Sequence, residues 1–179
     1  MDELIDIYNN VGNSTGETCL KSFAHKKGIL HASVHIWIFN KQKEILIQKR
    51  AAIKDTFPNL WDVSVAGHIA AGEKPIVSAI REIEEEVGLK IIPNQLDFIG
   101  TFQKKIHHHK NLIDNELHHI FICNVEFDLN SLKIQVEEVA EVNLISLQDL
   151  IKLVHSNKSN FVPHGKSYFK MVFDAIKKS

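Results

Sequence analysis

The segment Pro75–Val87 constrains this chain most, because it has the marks of one helix with a defined beginning and end. Pro75 suits the first turn, Gly88 suits the position just beyond the last turn, and the residues between them include neither type. At about 100° per residue, a stripe of apolar side chains falls on one side, which we expect to face the core. These side chains are Ile76, Ala79, Ile80, Ile83 and Val87.

A second face of the same helix carries three carboxylates, Glu82, Glu85 and Glu86. Residues three and four positions apart are neighbours on a helix, so these like charges repel one another unless a cation lies among them. Arg81 precedes Glu85 by one turn and offsets part of the repulsion. Mg²⁺ prefers oxygen ligands and is commonly shared between carboxylates and substrate phosphates, so it suits this face. A plain solvated acidic face is the alternative when the three glutamates are taken alone.

Length and charge limit the class of protein. A chain of 179 residues with 44% hydrophobic content can bury one sizeable core, so we expect a single domain over residues 1–179. The 21 Lys and Arg balance 22 Asp and Glu, which argues against nucleic acid as a partner. Nothing in this balance fixes an oligomeric state, and a homodimer is compatible with it.

The cysteines and the N-terminal residues bear on the compartment. Cys19 and Cys123 lie far apart and outside any CxxC spacing, which favours a reducing environment over a disulfide framework or a structural zinc site. The first residues are acidic and then polar, without a long apolar run, so we expect no signal peptide, no membrane partner and a cytoplasmic location.

The order of periodic segments predicts a mixed α/β unit. Residues 30–39 and 44–48 read as a hairpin of two strands, and three further runs read as strands: 63–69, 96–103 and 117–127. Helical spacing recurs at 146–156 and 167–178, so the C-terminal end is expected to be helical.

The residues from Gly67 to Leu89 carry a motif that resembles the Nudix box. Its fixed positions here are Gly67, Glu73, Arg81, Glu82, Ile83, Glu85, Glu86, Gly88 and Leu89. The chain therefore resembles the Nudix hydrolase family, which implies a Nudix-type α/β/α sandwich with a mixed sheet. The resemblance also implies hydrolysis, dependent on Mg²⁺ or on Mn²⁺ in its place, of small molecules in which a diphosphate is linked to another group.

The resemblance assigns roles to the residues of the box. Glu82, Glu85 and Glu86 match the metal ligands, and Glu82, Glu85 and Arg81 are the expected catalytic residues of the helix. Arg81 and Glu73 match supporting positions that orient the ligands, and Gly67 matches the first glycine of the loop. The general base in this family is either a box glutamate or one from a later loop. Glu138 is our choice from the loop segment, with a solvated charge or a helix flank as the alternative.

Basic and aromatic residues upstream of the box suggest how a substrate is held. Arg50 and Lys54 would contact phosphate, and Phe57 would contact a base or an apolar tail. Trp61 is expected to be a core residue instead. The group linked to the diphosphate stays open, because nucleotides, nucleotide sugars, prenyl diphosphates and thiamine-like diphosphates all satisfy the box.

A second resemblance rests on residues 23–40, 54–68 and 114–121 and extends over nearly the whole chain. These segments resemble a branch that contains uncharacterised Nudix hydrolases and type I isopentenyl diphosphate isomerases. The metal-binding positions of those isomerases match His31, His68, Asp114 and Glu116, with His25 one residue out of spacing. The reactive cysteine of the isomerases is replaced by Ala66, and their C-terminal tryptophan is missing. Both departures favour hydrolysis over isomerisation.

Most of the other histidines are expected to be solvated or to pack in the core, without a role in the chemistry. His107, His108 and His109 read as a solvated, pH-sensitive hairpin edge, because neighbours on a strand point to opposite faces and cannot all reach one ion. Metal binding is the alternative for these three residues. Of His118 and His119, one ring is expected to pack inward and the other to be exposed. His31 and His68 stay open between a second metal site, phosphate contact and ordinary packing.

Overall fold

A computed structural model describes residues 2–156 and 159–179 as nine strands, four helices and two short 3₁₀ turns. The strands are β1 (Leu4–Tyr8), β2 (Ser14–Leu20), β3 (His31–Phe39), β4 (Glu44–Arg50), β5 (Trp61–Asp62), β6 (Val65–His68), β7 (Asp97–His109), β8 (Leu112–Asn124) and β9 (Val139–Ser146). The helices are α1 (Lys21–Lys27), α2 (Pro75–Val87), α3 (Leu147–His155) and α4 (Lys166–Lys178).

The main sheet is mixed, as predicted. Its central order is β5-β4-β3-β8-β7, with β6 pairing to β3 and β9 pairing to β4. Strands β3 and β8 run parallel, in a register that begins at His31 opposite Glu116 and ends at Phe39 opposite Asn124. The other pairs are antiparallel, and β1 with β2 forms a separate two-stranded sheet.

All nine residues of strand β3 are buried. Because successive side chains point to opposite sides of a sheet, the strand is covered on both faces. Val34, Ile36 and Ile38 pack in one cluster with Ala79 and Ile83 of α2. Trp37 and Phe39 pack in a second cluster with apolar residues of α3 and α4. The sheet therefore lies between helices on both sides, which is the predicted α/β/α sandwich.

Helix α2 begins and ends where the sequence predicts. Pro75 occupies the first turn, and Gly88 ends the helix in the left-handed conformation at φ 72°, with its N–H donating to the Glu84 carbonyl. A Cβ at Gly88 would lie 2.9 Å from the Cβ of Lys133, so both conformation and space require glycine there. The apolar stripe packs on the sheet as expected, with Ile83 fully buried.

The sequence pattern missed several elements. The polar N-terminal region forms the β1–β2 hairpin, which joins the rest of the chain through a bridge between Ile5 and Ala70. Helix α1 and strand β9 were also not predicted, and β7 and β8 extend beyond their predicted runs.

Among the residues that the structure describes, no helix is long and apolar enough to cross a membrane.

Replacing Ile83 by Ala should lower the free energy of unfolding by about 2–5 kcal/mol, because it opens a cavity between α2 and the sheet. Val77 on the same helix is 48% exposed, so Val77→Ala should cost no more than about 0.5 kcal/mol. Chemical denaturation of the two variants measures both values. Equal losses would contradict the assigned core face of α2.

Candidate active site

One cavity of about 580 Å³ brings together all eight residues that the sequence predicted as catalytic, metal-binding or substrate-binding. These residues are Arg50, Lys54, Phe57, Arg81, Glu82, Glu85, Glu86 and Glu138. They come from four regions of the chain: the end of β4, the loop after it, helix α2 and the loop before β9. Only the tertiary fold makes them neighbours.

Gly67 on β6 makes room for the first carboxylate of the cavity. A Cβ at this position would lie 2.0 Å from Cδ of Glu82, far inside any van der Waals contact. The backbone at Gly67 is not left-handed, so glycine is required there for space rather than for conformation. The first glycine of the box therefore lets the α2 carboxylate lie directly against the sheet.

Arg81 ties the carboxylates of the box together. Its Nη1 donates to Oε1 of Glu82 at 2.7 Å and to Oε2 of Glu85 at 3.0 Å. Its Nη2 donates to Oε2 of Glu73 at 3.1 Å and to the His68 carbonyl at 3.2 Å. The Arg81 guanidinium thus offsets part of the repulsion predicted between the glutamates of α2. It also fixes α2 to the loop before it and to β6.

Glu86 is the most deeply buried carboxylate of the helix. Gln48 of β4 donates to its Oε2 at 2.9 Å, so Gln48 positions a predicted metal ligand that the sequence analysis had not linked to any partner. Burial and the nearby charge of Glu82 raise the pKa of Glu86 well above its usual value. Burial also raises the pKa of Glu82 to about 7, although Arg81 opposes the shift.

These raised pKa values fit a cation-binding face. Two buried carboxylates this close cannot both ionise cheaply without a positive partner, and a divalent ion supplies one. Oxygen ligands at partial exposure are the donor set that Mg²⁺ and Mn²⁺ prefer. The oxygen donors present therefore suit a hard divalent ion by their chemistry. Their ligand atoms are not drawn together as tightly as those of the histidine groups, because Arg81 holds an oxygen of both Glu82 and Glu85.

The predicted substrate-binding cations already have acidic partners. Arg50 donates to Oδ2 of Asp62 at 3.1 Å and to the Thr56 carbonyl at 3.0 Å, which holds its guanidinium at the cavity wall. Lys54 forms an ion pair with Glu138, so the predicted phosphate ligand and the predicted base contact each other.

Phe57 also lies at the cavity wall. It has a left-handed backbone at φ 48° and presents its ring edge-on to His108, with the ring centroids 5.1 Å apart. A left-handed backbone is uncommon for a bulky residue.

Three histidines and one glutamate form a second group of candidate metal ligands, and all of them except His31 line the cavity. His25, His31, His68 and Glu116 each offer a ligand atom, and these atoms lie within 4.8 Å of one another. The Nδ1 of His31 contacts the Ile29 carbonyl at 2.9 Å, which orients its Nε2 toward the group. Among the described residues, Nε2 of His68 has no hydrogen-bond partner although it is buried. We call these four residues the outer histidine group.

The outer group differs from the ligand set that the isomerase resemblance implied. His25, one residue out of spacing in the sequence, lies with its Nε2 3.2 Å from Nε2 of His31. Asp114 is not in the group. Its Oδ2 pairs with Nε2 of His108 at 2.8 Å, whereas its Oδ1 is buried without a hydrogen-bond partner among the described residues. The expectation that all three of His107, His108 and His109 form a solvated edge was wrong for His108, which is half-buried.

Sequence reasoning missed a second buried polar region. His35, His118 and His164 are all buried and line the inner part of the cavity. The Nε2 of His164 lies 2.6 Å from Oδ1 of Asp62, and burial with the adjacent histidines holds the pKa of His35 well below its usual value. The available signal was the alternation of polar residues along β3 and β8, which becomes informative only when the register of the two strands is known.

Comparisons with known proteins agree with the motif. A family model for the NUDIX domain matches residues 29–165. The chain is 32% identical to an uncharacterised Nudix hydrolase of Clostridium acetobutylicum, over 98% of this chain and 97% of the relative. It is 30% identical to an isopentenyl-diphosphate Delta-isomerase of Aliivibrio fischeri, over 96% of each chain.

The fold is shared with solved structures as well. A protein of Deinococcus radiodurans covers 98% of this chain and 98% of its own length at a TM-score of 0.68 and 16% identity. At that identity the likeness shows the fold alone. The domain match, the relatives with similar sequences and the position of the box glutamates around one cavity lead to one conclusion: this chain belongs to the Nudix family.

Proposed function

We propose that this protein is a metal-dependent hydrolase that cleaves the diphosphate linkage of a small molecule, such as a nucleoside diphosphate linked to another group. The observation that carries the proposal is the convergence of Glu82, Glu85 and Glu86 with Arg81 on the cavity wall. The relatives named Nudix hydrolases support it, since that family acts on phosphorus-containing anhydrides.

In this proposal Glu82, Glu85 and Glu86 hold Mg²⁺, or Mn²⁺ in its place. The bound ion neutralises diphosphate charge and lowers the pKa of a water. Arg81 keeps Glu82 and Glu85 in place through hydrogen bonds of 2.7 and 3.0 Å, so the carboxylates are preorganised.

Glu138 accepts the proton of the attacking water. Its ion pair with Lys54 keeps the carboxylate at the cavity, and an entering phosphate competes with Glu138 for Lys54. Arg50 contacts phosphate from a position fixed by Asp62, and Phe57 contacts the group linked to the diphosphate. The partner is thus a small molecule and not a nucleic acid, in keeping with the net charge of −1.

We extend the proposal to the whole chain, residues 1–179, acting as one Nudix domain. The matched region ends at residue 165, yet Tyr168, Phe169 and Val172 of α4 are buried against the sheet. The N-terminal hairpin joins the box loop through the bridge from Ile5 to Ala70. The free thiols of Cys19 and Cys123 favour a cytoplasmic location.

A prenyl diphosphate-binding protein of the isomerase type is the second candidate. The outer histidine group and the isomerase-named relative favour it. Ala66 opposes it, because a methyl group cannot transfer a proton to or from carbon. Interconversion of the two five-carbon diphosphates, lost on His31→Asn and Glu116→Gln, would support this candidate, and recovery of both compounds unchanged would exclude it.

Replacing Glu85 by Gln should lower kcat on the order of 100-fold or more, because it removes a charged ligand from the reacting centre. The matched control is Glu84→Gln on the same helix, which should leave kcat unchanged since Glu84 is exposed and not on the cavity. Phosphate release is measured with Mg²⁺ or Mn²⁺ on a panel of nucleotide, sugar-nucleotide, prenyl and thiamine diphosphates. Full turnover by Glu85→Gln would contradict the assigned site.

Replacing Gly67 by Ala should lower kcat by about 100-fold, because the added Cβ displaces the Glu82 carboxylate by an ångström or more. The substrate KM should change less, since Arg50 and Lys54 lie on a different wall. Thermal unfolding of both proteins controls for loss of fold. A variant that turns over at the wild-type rate would show that Glu82 is not needed in its present position.

A further inference from the structure

A second set of metal-ligand atoms lies deeper in the cavity than the outer histidine group. His35, His118 and Glu116 each offer one ligand atom, and these atoms lie within 4.8 Å of one another. The two histidine side chains are buried, and their rings stack with centroids 4.0 Å apart. We call His35, His118 and Glu116 the inner group.

The parallel pairing of β3 with β8 produces this arrangement. His31 lies opposite Glu116 and Ser33 lies opposite His118 in the register. Residues two positions apart share a face of a strand, so His31, Ser33 and His35 follow one another along the same side of β3. The neighbouring strand presents Glu116 and then His118 on that side.

Glu116 stands between the two groups and faces both. Its Oε1 lies 3.7 Å from Nε2 of His68 in the outer group, whereas its Oε2 lies 3.4 Å from Nδ1 of His118 in the inner group. Glu116 thus directs one oxygen toward each histidine group. A carboxylate that bridges two metal ions is arranged in the same way. Paired metal ions in such centres lie roughly 3.5–4 Å apart.

The histidines of the inner group are oriented by hydroxyl groups. Ser33 Oγ lies 2.8 Å from Nδ1 of His118, and Tyr168 Oη lies 2.8 Å from Nδ1 of His35. Trp37 donates from Nε1 to the same Tyr168 oxygen at 3.1 Å. A ligating histidine commonly donates its other N–H to a fixed partner of this kind. Binding through Nε2 of His35 requires the tautomer in which Nδ1–H donates to Tyr168. Because Nδ1 of His118 is held by Ser33, His118 likewise binds through Nε2, in the tautomer in which its Nδ1–H donates to Ser33.

The donor set indicates the class of ion. Two imidazoles and one carboxylate form the ligand set of catalytic zinc sites, in which three protein ligands leave one position open. Imidazole nitrogen suits Zn²⁺ and similar transition-metal ions, whereas Mg²⁺ prefers oxygen. His164 is close, with its ring centroid 5.1 Å from that of His35, but its Nε2 is occupied by Asp62.

We propose that His35, His118 and Glu116 bind a divalent transition-metal ion of the Zn²⁺ type, with Glu116 bridging to the outer histidine group. The open coordination position faces the cavity and takes water or an anionic oxygen. The site is separate from the glutamates of α2 and does not depend on the proposed hydrolysis.

The test measures metal binding by the full chain. Protein stripped with a chelator is dialysed against Zn²⁺ with excess Mg²⁺, and the retained zinc is quantified. We expect His118→Asn to retain one equivalent fewer than wild type. His119→Asn is the matched control, because His119 is the next residue on β8, faces the other side of the sheet near Phe98, and should leave the stoichiometry unchanged. Equal zinc in wild type and folded His118→Asn would overturn the proposal.

A measurement on the wild-type protein keeps the proposal falsifiable if the variant does not fold. Anomalous diffraction at the zinc edge should show an ion about 2.0–2.2 Å from a ring nitrogen of both His35 and His118 and from an oxygen of Glu116. Zinc-loaded crystals without a peak at the inner group would overturn it. Neither readout requires hydrolytic activity, so a failure of the proposed function would be recognised separately.

Discussion

The parallel pairing of β3 with β8 is the constraint on which the rest of the structure depends. One face of β3 supplies Val34, Ile36 and Ile38 to the core beneath α2, and the other supplies Trp37 and Phe39 to the core beneath α4. Toward the start of β3, that second face changes from apolar to polar. The same strand therefore anchors both helical layers and carries Ser33 and His35 into the cavity.

Two different ligand chemistries meet in this cavity. The carboxylates of α2 form a hard oxygen face, organised by Arg81 and by the space that Gly67 leaves. The histidines of β3 and β8 form a nitrogen-rich region a short distance away, with Glu116 as the acidic residue between two groups. Oxygen-preferring and nitrogen-preferring ions can thus be sorted by ligand type within one binding site.

Local signals predicted α2 and the box, because the cap at Gly88, the apolar stripe and the charged face all lie within one helix. The antiparallel hairpin β3–β4 could also be predicted, because its two strands are adjacent in the sequence. Two contacts could not be predicted from the sequence: the hydrogen bond from Gln48 to Glu86 and the stacking of His35 on His118. The first depends on how α2 packs against β4, between residues 38 apart in the chain. The second depends on the register of β3 with β8, which lie about 80 residues apart and share no turn that provides a reference.

Glu82, Glu85 and Glu86 are proposed to bind a hard divalent ion. The direct measurement is electron paramagnetic resonance of Mn²⁺, titrated into protein whose histidines have first been saturated with Zn²⁺. We expect wild type and Glu84→Gln to deplete the signal of free Mn²⁺, and Glu82→Gln to deplete it at least about 10-fold less effectively. Equal depletion by Glu82→Gln and wild type would show that these glutamates do not bind the ion.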